Sequence, residues 1–181
     1  MQKHYTINIA NRVEQLPILQ IAPNVSIAFF NLHGNVELTE HSANHLAALL
    51  KPHNIDIILT AESKGLQLSH CVARNLNHTH YAVARKAKKL YMQDSICVKG
   101  SSITTDGTQS YYLSAHDVAL LNGKHVAIVD DVISTGASLA SLEWLAVKAG
   151  GKITARAAVL LEGDATTRKD IIHLATIPIF T

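Results

Sequence analysis

The chain has 181 residues, 48% of them apolar and 17% charged, which supports one domain with a sizeable packed core and excludes a disordered polymer. Its formal charge of +2 is too small to make nucleic acid the main partner, and no apolar run suits an export signal or a membrane span, so a cytoplasmic protein is expected. Cys71 and Cys97 lack CxxC spacing and the 11 histidines are scattered, so neither a disulfide framework nor a dedicated metal centre is indicated.

Residues 5–9 and 25–30 read as strands, with Pro17 and Pro23 breaking the pattern around them. Residues 39–50 place Ala43, Leu46, Ala47 and Leu50 at helical spacing and stop before Pro52. A buried strand at 55–60, a helix at 66–76 and a strand at 81–84 follow. Residues 92–112 are poorly apolar and read as a hairpin or a mobile loop. Residues 126–129 form a continuous apolar run, as in a central parallel strand covered on both faces. After it, Leu139, Leu142, Leu145 and Ala146 mark a helix that stops at Gly150-Gly151. Residues 155–161 give a further strand, and 171–180 are expected to close the sheet. The alternation implies an α/β fold with an open, mostly parallel twisted sheet flanked by helices and right-handed crossovers.

The most informative segment is 125–138, HVAIVDDVISTGAS. The strand is read as ending at Asp130 and Asp131, and open α/β sheets bind ligands at the carboxyl ends of their strands. Two adjacent carboxylates repel each other and are tolerated mainly where a cation or several hydroxyl donors share them. Next, Ser134, Thr135, Gly136, Ala137 and Ser138 lead into the helix as a hydroxyl-rich turn whose backbone N–H groups and helix dipole favour an anion. A helix cap alone would need no acid pair, so the segment reads as a sugar-phosphate site. The loops after Leu59, Ala84 and Val129 open toward one sheet edge and can touch a single extended ligand. Ala61, Glu62, Ser63, Lys64 and Gly65 combine small residues with a cation, which suits a pyrophosphate or, more plainly, a βα turn. Arg85, Lys86 and Lys89 follow a buried strand directly and are read as neutralising an anion, a solvated basic face being the alternative.

These segments carry a family resemblance. The run 129–138 resembles the ribose-5-phosphate-binding signature of the type I phosphoribosyltransferases, 55–65 looks like that family's pyrophosphate loop, and 81–90 looks like its basic strand end. Order and spacing agree, and the nearest group over about residues 35 to 165 is adenine phosphoribosyltransferase-like. The resemblance implies a single domain over 1–181, with a small N-terminal hood at 1–34, a core at 35–165 and a mobile catalytic loop at 92–112. It implies transfer of a phosphoribosyl group from 5-phosphoribosyl 1-pyrophosphate (PRPP) to a purine, adenine by preference, with Mg²⁺ bound along with PRPP and a homodimer as the assembly. Asp130 and Asp131 would hold the ribose hydroxyls, and Phe29, Phe30 or Leu32 would stack on the base. A non-proline cis bond is implied at Ser63–Lys64.

Two departures stand out. Lys64 occupies a position where adenine enzymes of the family commonly have Arg. In the 101–108 stretch, which the resemblance makes a lid, Thr105-Asp106-Gly107 replaces a Glu-Tyr-Gly, leaving Thr105 or Asp106 to supply the acid near the base. Another accepted base (hypoxanthine, guanine or xanthine) and a PRPP-sensing regulator without turnover are therefore the alternative readings.

Overall fold

The computed structural model describes residues 3–101 and 108–181. Thr105 and Asp106, the residues read as the acid near the base, lie outside the described residues.

A five-stranded parallel sheet forms the centre, in the order β10-β9-β8-β4-β5. Its strands are β4 (Ile57–Ala61), β5 (Ala82–Ala84), β8 (His125–Ile133), β9 (Lys152–Glu162) and β10 (Ile172–Ile177). Four helices cover it: α1 (Val36–Leu50), α2 (Leu66–Asn75), α3 (Ala115–Leu121) and α4 (Ala137–Lys148). Both faces are buried, so the strands need apolar side chains at successive positions. Along β8, Ala127 and Val129 enter the core shared with α1 and α2, while Val126 and Ile128 enter the one beneath α3 and α4. Leu46 and Leu50 of α1 and Leu142 and Leu145 of α4 are fully buried, about 1.5–3 kcal/mol of hydrophobic stabilisation for each such side chain.

A second, antiparallel sheet is the hood: β1 (His4–Ile9), β2 (Arg12–Ala22), β3 (Val25–Ala28) and β11 (Ile179–Phe180), in the order β1-β2-β3-β11. Its Ile7, Ile9, Leu16 and Ala28 join the α1/α2 core. A third pair, β6 (Ile96–Ser101) and β7 (Thr108–Leu113), is an antiparallel hairpin.

Four sequence expectations change. Pro17 breaks nothing: it sits inside the long β2, opposite His4, where the strand leaves β1 and its carbonyl accepts from the Phe29 N–H. Helix α3 was missed because its seven residues are too few to show a period, although Ser114 caps it by accepting from the Asp117 N–H. Strand β8 does not end at the acids but continues to Ile133, because Asp130, Val132 and Ile133 still pair with β9. Residues 171–180 close the parallel sheet only as far as Ile177, and Ile179 and Phe180 cross to pair with β3 of the hood.

Candidate functional site

The carboxyl ends of β4, β5, β8 and β9 meet the hood around two adjoining cavities of about 470 and 420 Å³. Glu62, Ser63 and Lys64 line the first, Thr135, Gly136 and Ala137 the second, and Asp130, Ser134, Ser138 and Lys86 line both. Asp131 lines the first.

The acid pair holds the centre. The two carboxyls line the same cavity, and the Asp131 N–H donates to Asp130 Oδ1 at 2.9 Å. Burial, and then the charge of Asp131, push the Asp130 carboxyl up from its ordinary value to about 8. Asp131 is 5% exposed, and its Oδ2 is buried with no hydrogen-bond partner among the described residues. Two crowded carboxylates, one short of donors and one resisting ionisation, suit a ligand that brings hydroxyls or a cation.

The turn between β8 and α4 has the chemistry of an anion site. Gly136 has φ +79°, a conformation open to glycine, and precedes α4, whose first residues Ala137, Ser138 and Leu139 line the second cavity, with the Ala137 N–H donating to Thr135 Oγ1 at 3.4 Å. Tyr111, from the hairpin strand β7, is buried, and its hydroxyl lies 2.9 Å from Ser138 Oγ.

The loop between β4 and α2 closes the other side. Its non-proline cis peptide is Glu62–Ser63, one bond before the expected Ser63–Lys64. Gly65 is required by packing, since a Cβ there would collide with Thr60 Oγ1 and lie 3.1 Å from Asp130 Oδ1. Ala61 ends β4 and lines the first cavity. The Glu62 carboxylate reaches β5, accepting from Arg85 Nη1 at 2.8 Å and from the Lys86 backbone N–H at 3.4 Å. Arg85 is fixed further by two backbone hydrogen bonds with Tyr112, each 2.8 Å.

Some expected residues stand elsewhere. Arg85 does not line either cavity and pairs with Glu62 instead. Lys89 also lies outside both; it is exposed, and its N–H points back to the Met92 sulfur within a turn. Leu32 is not available to a base: it is 1% exposed in the α1/α2 core and faces a separate cavity with Val36 and Cys71. Phe29 and Phe30 do line the first cavity, with Lys64 Nζ 5.6 Å from the Phe29 ring centre. Two residues escaped the sequence reading, Tyr111 and Glu162. Tyr111 carried no signal beyond strand alternation, whereas Glu162 ends an apolar strand just as Asp130 follows one.

Comparison with known proteins shows the family. The phosphoribosyl transferase domain family matches residues 35–178. An adenine phosphoribosyltransferase of Clostridium kluyveri is 26% identical over 151 residues, 79% of this chain and 81% of that protein. A xanthine phosphoribosyltransferase of Bifidobacterium adolescentis is 30% identical over 127 residues, 70% of this chain and 65% of that protein. The fold superposes on the crystal structure of an APRTase from Giardia lamblia complexed with 9-deazaadenine, with a TM-score of 0.71 at 19% identity, covering 96% of this chain and 93% of that one. An acid pair on a central strand, a glycine-built anion turn beside it and a cationic loop across from it thus occur in a chain that the family matches over most of its length: it is a phosphoribosyltransferase and belongs to the phosphoribosyl transferase domain family.

Proposed function

We propose that the protein transfers the phosphoribosyl group of PRPP to a purine base, adenine by preference, giving the nucleoside monophosphate and pyrophosphate. The observation that carries this reading is the placement of Asp130 and Asp131 between the Ser134–Ser138 turn and the Glu62–Lys64 loop on one continuous pair of cavities. Names of relatives support the choice of base: several are adenine phosphoribosyltransferases.

In the reaction the bond between the anomeric carbon and the pyrophosphate oxygen breaks, and a ring nitrogen of the base bonds to that carbon and loses its proton. The sugar passes through a cationic, oxocarbenium-like state, so the protein's task is positioning and charge stabilisation rather than covalent attack. The turn from Ser134 to Ser138 holds the 5-phosphate, and Asp130 and Asp131 hold the ribose hydroxyls while their negative field favours the cationic sugar. Ser63 and Lys64 face the pyrophosphate, with Lys86 supplying further charge as it leaves. Arg85 positions Glu62 and through it the loop. Phe29 and Phe30 belong to the hood wall against which the base packs.

Magnesium would be bound together with PRPP. No group of three or more metal-ligating side chains occurs among the described residues. Asp131, whose buried Oδ2 has no partner among the described residues, and Asp130, ionised when ligand and cation are bound, are the residues that would face it, and the ion would supply positive charge against the leaving group. The assembly proposed is a homodimer, for which the fully exposed Leu90 and the exposed Tyr91 beside the basic segment offer contact area. No helix among the described residues is long and apolar enough to cross a membrane, and a cytoplasmic location is proposed.

Release of pyrophosphate from PRPP and Mg²⁺, measured with adenine, hypoxanthine, guanine, xanthine and orotate in turn, tests the reading. Turnover is expected with adenine; tight PRPP binding without turnover on any base would instead make the protein a PRPP sensor.

A further inference from the structure

We propose that Glu162 is the residue that selects the base, its carboxylate accepting a hydrogen bond from the exocyclic amine of adenine. The inference rests on the purine reading above and adds the group that enforces it.

Sheet order fixes where the base must lie. Strand β8, with its acid pair, has β4 and β5 on one side and β9 and β10 on the other. The cations of the site, Lys64 and Lys86, come from the segments after β4 and β5, so the pyrophosphate leaves on that side. A nucleophile that displaces it approaches the anomeric carbon from the opposite face, which puts the base beside β9, β10 and the hood.

That wall is apolar apart from one acid. Ile27 and Ala28 of the hood, Val132 of β8 and Ile177 of β10 line it, and Glu162 stands among them at the carboxyl end of β9, opposite Ile177 in register. Glu162 lines both cavities, is half-buried and has no hydrogen bond or ion pair among the described residues. The other titratable group of the first cavity that is not on the phosphate side, His33, is already hydrogen-bonded to Gln67. Apolar pockets fix ligand orientation through a few such polar groups.

A carboxylate here cannot serve a phosphate, whose charge it would repel. It accepts hydrogen bonds and has none to give, so it matches the 6-amino group of adenine and opposes the 6-carbonyl of hypoxanthine, guanine and xanthine. It also repels a base that carries its own carboxylate, such as orotate. A site built around a specific hydrogen bond discriminates strongly, because the wrong base leaves the half-buried acceptor without its partner.

The test is kcat/KM for adenine and for hypoxanthine in the wild type, Glu162→Gln and Glu162→Lys, with the KM for PRPP and the melting temperature followed for each. Glu162→Gln, which offers an N–H in place of one oxygen, should lower the adenine-to-hypoxanthine ratio by about tenfold or more while the KM for PRPP and the melting temperature stay near wild type. Glu162→Lys should lower the ratio further. An unchanged ratio in both variants, with a wild type that prefers adenine, overturns this assignment and leaves the purine reading standing. Loss of PRPP binding or of the fold in Glu162→Gln would make the residue structural and overturn it too, as would a wild type that prefers hypoxanthine. A wild type that turns over no purine overturns the purine reading itself.

Discussion

Glu62 Oε1 accepts a hydrogen bond from Arg85 Nη1 at 2.8 Å, and this ion pair ties the loop after β4 to the end of β5. Both side chains are partly exposed, 25% and 32%, so the pair contributes less than about 1 kcal/mol to stability. Its value is in position. Glu62→Gln should leave the melting temperature within a few degrees of wild type and raise the KM for PRPP several-fold, with kcat less affected. Steady-state kinetics at fixed saturating adenine checks this, and an unchanged KM would show that the loop holds its shape without Arg85.

Asp131 presents a buried oxygen with no partner, a poor arrangement for stability in the ligand-free protein. Asp131→Asn should therefore keep or slightly increase the melting temperature while lowering kcat/KM by about 100-fold or more, the scale seen when a group that stabilises transition-state charge is removed. Denaturation curves and initial rates on the same preparation separate the two effects. A variant that fails to fold would count against a ribose role.

Asp130 predicts a pH dependence whose sign follows from linkage. Burial and the neighbouring Asp131 raise its value in the folded protein from 3.8 to about 8. Between these values the folded protein keeps a proton that the unfolded chain has released, so stability from this group is full below about pH 4 and declines as pH rises toward about 8. The ligand-free melting temperature of Asp130→Asn should fall less than that of wild type over this window. Because ribose hydroxyls and a cation favour the carboxylate, binding of PRPP with Mg²⁺ should release a proton and tighten as pH rises through the same range. Calorimetry in two buffers of different ionisation enthalpy measures that proton directly.

Gly136 offers a substitution series. A Cβ there would meet only Arg168 Nη1, at 3.5 Å, so backbone conformation rather than collision opposes a side chain. Gly136→Ala should cost about 1–2 kcal/mol, and Gly136→Asn less, because asparagine tolerates positive φ. Gly136→Val, β-branched in the same conformation, should abolish PRPP binding. Chemical denaturation and PRPP titration of the three variants check the order, and PRPP binding retained in Gly136→Val would remove the phosphate assignment.

Much of the site was legible because its chemistry is local. Asp130, Asp131 and Ser134 to Ser138 are neighbours in sequence as well as in space, and the apolar run before them fixed their place at a sheet edge. Helices α1, α2 and α4 were readable from periodicity, their boundaries shifting by up to three residues. What escaped depended on distant partners. Pro17 looked like a break because proline cannot donate, yet β2 passes from β1 to β3 at that residue and needs only its carbonyl. Leu32 looked like a hood residue, but its burial beneath α1 is decided by packing no local pattern encodes. Glu162 was passed over because a single acid after an apolar strand becomes informative only once the sheet order sets β9 beside β8.

The crossing of Ile179 and Phe180 to β3 has a consequence for how the protein is made. The acid pair and the turns after β4 and β8 that line the cavities all leave the ribosome before β10. Hood strand β3 emerges early but stays an unpaired edge until β11 arrives at the far end of the chain. During synthesis the free edge of β3 is thus covered only after the whole parallel sheet has emerged. A nascent chain halted after β9 would carry the Ser134–Ser138 turn complete while β3 still presents an open edge to other chains.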